Sequence, residues 1–129
     1  YITNSYVHIV ECNKEGDNIL YTDEKVFRPF LTFSIPLFLG QKGLHQLLKN
    51  YGFDVFDDFF DIGRDSDGDD IERMKSSFEN IRKIHEMSYG DLQFFYIQNH
   101  QRLLHNYNRL RELGKIQVRE FINILNDYK

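Results

Sequence analysis

Apolar residues fall in short runs through the first half of the chain and at helical spacing through the second. Tyr6-Val7-His8-Ile9-Val10 is β-branched and aromatic, and predicts a buried strand. The polar stretch 11–18 contains Gly16 and predicts a loop. Asp23 is placed to cap a helix carrying Glu24, Lys25, Val26, Phe27, Phe30 and Leu31. Pro29 falls near the first turns of that helix, where a missing amide proton costs least. Ile35-Pro36-Leu37-Phe38-Leu39 predicts a second strand stopped by Gly40, with Pro36 among its first residues. Leu44, Leu47, Leu48 and Tyr51 share one helical stripe that Gly52 ends. Phe53-Asp54-Val55-Phe56 predicts a short third strand. This order gives an α/β fold, a small parallel sheet flanked by helices.

From residue 70 onward the spacing is helical. Asp70 opens a run with Ile71, Met74, Phe78, Ile81 and Ile84 recurring every three or four positions. Asp91 is expected to cap a second helix, with Leu92, Phe95, Asn99, Leu103, Tyr107 and Leu110 on one side and Gly114 as its stop. A last helix carries Ile116, Phe121, Ile124, Leu125 and Tyr128. Residues 1–62 thus read as an α/β unit, and residues 63–129 as an acidic loop and C-terminal helices packing on it, in one domain overall.

Composition narrows the classes. Among 129 residues, 41% are apolar and 16% aromatic, enough for a core without metal or disulfide staples. A net charge of -4 argues against nucleic acid as a partner. Cys12 is the single cysteine, so there is no disulfide framework and no Cys-based zinc site. No apolar run reaches membrane-spanning length, and the N-terminus has no signal-peptide pattern, so a reducing cytoplasm is the default location. The chain begins at Tyr1 and reads as a fragment or a processed product.

Few motifs carry chemistry. Asp65-Ser66-Asp67-Gly68-Asp69 resembles the start of a calcium loop, but Asp70 and Ser76 stand where that loop wants glycine and glutamate. A solvated acidic turn before a helix is the better reading. The five histidines have no metal-ligand spacing on a helix, and no metal site is expected. Phe94, Phe95, Tyr96 and Tyr107 with nearby arginines could stack bases, although at helical spacing such aromatics make a core. The segment Tyr21 to Arg28 says more. Lys25 and Arg28 in the first turns of a helix are poorly placed for the macrodipole unless an anion docks there. Glu24 beside them could accept hydrogen bonds from ribose hydroxyls. The plainer alternative has Glu24 favouring the helix start while both cations point to water.

Tyr21-Thr22-Asp23-Glu24-Lys25, followed by Ile35-Pro36-Leu37-Phe38-Leu39-Gly40, is similar to the Y-x-T-E-K … P-V/I-x-x-G signature of α-1,3-fucosyltransferases. Val10-Glu11-Cys12-Asn13 resembles a degenerate form of their F-E-N-S segment. Lys25-Val26-Phe27-Arg28-Pro29, then Gly43-Leu44 to Leu48, Gly52-Phe53-Asp54-Val55-Phe56 and Arg73, also resemble the motif order of glycosyltransferase-like proteins of phages and algal viruses. The resemblance spans about Ser5 to Ile84. Asp23 departs from the signature threonine, and no serine follows Asn13.

This likeness implies the C-terminal, donor-binding half of a GT-B glycosyltransferase, a Rossmann-like unit. By motif position, Glu24 would contact the donor ribose, Lys25 the pyrophosphate and Tyr21 the neighbourhood of the base. Arg28 would assist at the phosphates, and Glu11 would reach the donor pocket. A nucleotide sugar, with GDP-sugars among the candidates, would be co-substrate, and no cofactor is implied. The general base would lie in an N-terminal lobe outside these residues, so no catalytic residue is assigned. An open sheet edge would invite that lobe or self-association. The rival reading is a non-enzymatic viral or accessory interaction module whose donor site has degenerated.

Overall fold

The computed structural model describes residues 6–12, 24–40, 42–62 and 70–127. They form β1 (Val7–Cys12), α1 (Glu24–Leu31), β2 (Ile35–Gly40), α2 (Leu44–Asn50), α3 (Asp70–Glu86), α4 (Tyr89–Gln98) and α5 (His100–Asp127). The strands pair in parallel, in register from Val7 opposite Ile35 to Cys12 opposite Gly40. Side chains alternate across a strand, so this register puts Val7, Ile9, Ile35 and Leu37 on one face and His8, Val10, Pro36 and Phe38 on the other. The Ile35 amide donates to Tyr6 O at 2.8 Å. Backbone groups alternate direction too, so the nitrogen of Pro36 points away from β1 and costs the ladder no donor.

Each face of the sheet owns a core. Val10 and Phe38 pack with Val26 and Phe30 of α1, Leu44 and Leu48 of α2, and Phe53 and Val55. Phe30 and Phe53 stack with ring centroids 4.3 Å apart. On the opposite face, Val7, Ile35 and Leu37 pack with Phe56, Phe60, Leu92 and Leu103, while Ile81 and Ile84 of α3 lean on that cluster. Helix α5 serves both faces, with Leu103 in the second core and Leu110 and Leu113 against the first. The result is an α/β fold in which a small parallel sheet lies between helices. No described helix is long and apolar enough to cross a membrane.

Three expectations give way. Phe53 to Phe56 is not a strand, and the described sheet has two strands. The run breaks because Asp54 spends its backbone groups on a side chain of α5 and Phe56 turns into the left-handed region, at φ 59. Asp91 does not cap α4; Ser88 does, its Oγ accepting from the Asp91 amide at 3.1 Å, and Tyr89 is the first helical residue. The long helix expected up to Gly114 breaks instead at Asn99, and α5 then continues through Gly114 to Asp127. Gly114 keeps a helical backbone because nothing in the structure demands a left-handed turn there. Pro29 lies in the second turn of α1, within the first two turns as its position predicts, and the helix ends two residues later.

Gly52 is the stop its position predicts. With φ at 91 it lets the Phe53 amide return to Leu48 O at 3.0 Å and its own amide to Lys49 O at 2.9 Å. This is the paired closure of a helix ending in a left-handed residue, sealed by contact between Phe53 and Leu48 in the first core. A Cβ on Gly52 would stand 2.8 Å from Arg109 Nε, whereas one on Gly114 would meet nothing within 4 Å. The two glycines therefore respond oppositely to alanine. Gly52→Ala is expected to lower stability in urea by about 1 kcal/mol or more. Gly114→Ala is expected to raise the helicity of the α5 C-terminal half and slow its amide exchange, by up to about 1 kcal/mol of local stability.

Candidate functional site

The parallel β1–α1–β2 connection brings α1 back across the sheet, so its first residues follow from the carboxyl end of β1. Glu11 is the penultimate residue of β1, opposite Leu39, and Glu24 and Lys25 open α1. The side chains of Glu11 and Glu24 lie outside the described residues, and so does all of Tyr21. Lys25 and Arg28 are exposed and, three apart, share one side of α1. The apolar residues Val26 and Phe30 anchor that helix from beneath, both fully buried in the first core.

Arg28 sits one turn beyond Lys25, within reach of β1. His8, half-buried on the α1 face of the sheet, titrates below the usual histidine range, first because burial disfavours its charged form and second because Arg28 repels it. Among the described residues, no group of three or more His, Cys, Asp or Glu side chains could hold a metal ion.

A second constellation was not foreseen from the sequence. The connector between α2 and α3 is held by side chains of α5. The Asn106 carboxamide, buried to 1% exposure, donates to Asp54 O at 2.9 Å and accepts from the Asp54 amide at 2.7 Å. Asp54 in turn accepts the Phe56 amide at 2.9 Å. Arg102 donates from Nε and Nη2 to the two Asp54 carboxylate oxygens at 2.6 and 2.7 Å, and also reaches Asp58 and Asn99. Its guanidinium stacks 4.0 Å above the Phe56 ring. His105 Nε2 donates to Gly52 O at 2.8 Å and Arg109 Nε to Tyr51 O at 2.5 Å, meeting carbonyls that the end of α2 leaves over.

From the other side, Asn80 of α3 grips the connector in the same bidentate way, accepting from the Asp61 amide and donating to Asp61 O. The signal for these residues was present in the sequence. Asn99, Arg102, Asn106 and Arg109 recur at helical spacing beside Leu103 and Leu110, so the inward side of α5 is partly polar. Polar groups in such positions need partners, and the connector supplies them.

Chemically this clasp is a brace and not a receptor. Arg102 directs its donors to Asp54, Asp58 and Asn99. That pairing keeps the guanidinium charged and draws Asp58 below the usual carboxylate range, chiefly through the Arg102 hydrogen bond. Two open grooves flank the connector. One of about 520 Å³ lies against α3, with Asp57, Asp61, Glu79 and Glu86 in its wall. The other, about 490 Å³, lies between Lys49 of α2 and Gln101 and His105 of α5. Neither groove is lined by a residue of α1. No protein family, curated protein or solved structure matches the chain.

Asn106→Ala is expected to destabilise the fold by about 2–3 kcal/mol, because it leaves a buried donor and acceptor of Asp54 unpaired. Urea unfolding would register this. The Arg102–Asp58 pair contributes modestly, since Asp58 is largely exposed. Its carboxyl titrates lower in the folded chain than in the unfolded one, so its contribution is complete above about pH 4 and fades as pH falls through the lowered value. Arg102→Gln should flatten that acidic limb in a pH series of unfolding curves.

Proposed function

We propose that residues 7–40 are the phosphate-binding side of a nucleotide-sugar site, in a reduced Rossmann-like unit equivalent to the donor half of a GT-B glycosyltransferase-like protein. One observation carries the reading: the parallel β1–α1–β2 unit starts α1 with Glu24 and Lys25 after the carboxyl end of β1. Ligands of parallel α/β sheets bind beyond the carboxyl ends of their strands, where helix amides and their dipole favour an anion. Lys25, in the first turn of α1, adds a full positive charge to that field.

In this reading Lys25 neutralises the pyrophosphate and Arg28 supports it from one turn further along. Glu24 receives ribose hydroxyls, Tyr21 lies near the base, and Glu11 borders the pocket from β1. The motif likeness supports the assignment of these roles. The acceptor and its general base belong to another lobe, so the expected behaviour of this chain is binding without turnover.

Calorimetric titration with GDP- and UDP-sugars tests the reading. Binding of at least one donor is expected, and Lys25→Ala should weaken it by tenfold to a hundredfold, about the loss of a charge-assisted contact. Absence of heat with every donor, or affinity untouched by Lys25→Ala, overturns it.

A further inference from the structure

Tyr6, Tyr89 and Tyr96 meet where the start of β1 lies against α4. The Tyr6 ring stands 5.7 Å from that of Tyr89 and 4.8 Å from that of Tyr96. Both partners belong to α4, Tyr89 as its first residue and Tyr96 about two turns on. Their hydroxyls differ. Tyr96 donates to Phe33 O at 2.8 Å, which commits its hydroxyl to the turn before β2. Tyr89 instead meets Tyr6 oxygen to oxygen at 3.1 Å, across 83 positions of sequence. That hydrogen bond, more than burial, raises the Tyr6 phenol above the usual tyrosine range and keeps it protonated.

Packing alone does not call for this pair. The rings of Tyr6 and Tyr96 lean on the second core, and phenylalanine would lean there as well. The contact between the Tyr6 and Tyr89 hydroxyls is exposed, where water offers an equally good hydrogen bond. What two phenols have and two phenylalanines lack is one-electron chemistry. Loss of an electron and a proton from a phenol leaves a radical spread over the oxygen and the ring carbons ortho to it. Two such radicals in contact join through those carbons. In the resulting o,o′-biphenol the hydroxyls lie side by side and the rings are twisted out of one plane. Tyr6 and Tyr89 already stand that way, with hydroxyls in contact and ring planes 50° apart. Tyr89 is 69% exposed, so an oxidant in solution reaches it directly. Hydrogen-atom transfer along the shared hydrogen bond carries the radical on to Tyr6.

We propose that Tyr6 and Tyr89 are an oxidative cross-linking site, joined as dityrosine by a one-electron oxidant such as a peroxidase intermediate or a peroxyl radical. Each phenol gives one electron to the oxidant and one proton to water. A bond then forms between the two ortho carbons, and the hydrogen on each of them moves to its oxygen, restoring both aromatic rings. The oxidant gains two electrons and the protein loses two hydrogens. With a single cysteine the chain has no intramolecular disulfide, and this bond takes that place. It ties the start of the first strand to α4 and closes a loop over 83 positions, which restricts the unfolded chain. None of the residues assigned to the ligand takes part, so the site is independent of that reading.

The test treats the dilute full chain with a haem peroxidase and hydrogen peroxide. Dityrosine fluorescence is expected in the monomer fraction, with a mass lower by two hydrogens and a Tyr6–Tyr89 link in tandem mass spectra. Tyr6→Phe and Tyr89→Phe should each lower the monomer's dityrosine yield by about tenfold or more, since the contact that favours coupling is gone. Phenylalanine keeps the packing ring at each position, so an unchanged urea midpoint certifies the fold of both variants. Tyr96→Phe should leave the yield in place, and oxidation of the chain in urea should lose the preference for this pair. The linked monomer should unfold at higher urea than the unlinked one. Dityrosine confined to linked dimers overturns the proposal. So does a monomer link that survives Tyr89→Phe or maps to other tyrosines, or a linked monomer that unfolds no later than the unlinked one.

Discussion

A connector that runs through the interior must find partners for its backbone polar groups, and the rest of this fold is arranged around that demand. Residues 51–62 place Phe53 and Val55 in one core and Phe56 and Phe60 in the other. A strand would have satisfied their amides by pairing, but the left-handed backbone of Phe56 ends any extended run there. Holding a bulky residue there costs of order 1–3 kcal/mol. The carboxamides of Asn106 and Asn80 and the carboxylate of Asp54 supply what a neighbouring strand would have given. Arg102 then pairs with the Asp54 carboxylate, so that a partly buried charge is not left alone.

This brace explains why so small a sheet persists. Two parallel strands bury little by themselves, and parallel sheets need cover on both faces. Here α1 and α2 cover one face and α3 and α4 the other, α5 lies against both, and the connector threads between. In α1 the exposed Lys25 and Arg28 alternate with Val26 and Phe30, which belong to the first core. The ligand reading and the structural scaffold therefore draw on different side chains, and Lys25 or Arg28 can change without opening either core.

What the sequence revealed follows from which forces are local. β1 and β2 are legible because β-branched and aromatic runs bounded by polar residues have few other ways to be buried. Gly52 is legible because its neighbours supply the whole closing motif. The segment Phe53 to Phe56 is not, because its strand-like side chains are overruled by Asn106, fifty-two residues away. Gly114 misleads for the opposite reason. A glycine ends a helix where the following residues fold back onto the last turn, and at Gly114 the chain simply goes on. The candidate site is legible in its order along β1 and α1, while the clasp depends on which helix happens to lie across the connector, and spacing alone does not tell that.

The clasp also fixes a sequence of events. Asp54 waits for Asn106, the first core waits for Leu110 and Leu113 and the second for Leu103, so neither face of the sheet can close until α5 has left the ribosome. Contacts this distant along the chain slow folding and lengthen the time that apolar strands are uncovered. During synthesis the β1–α1–β2 segment is thus exposed, with its hydrophobic faces bare. Surface uncovered in that way is the kind that aggregates in a crowded cell, so speed of synthesis and yield of folded protein are tied together here.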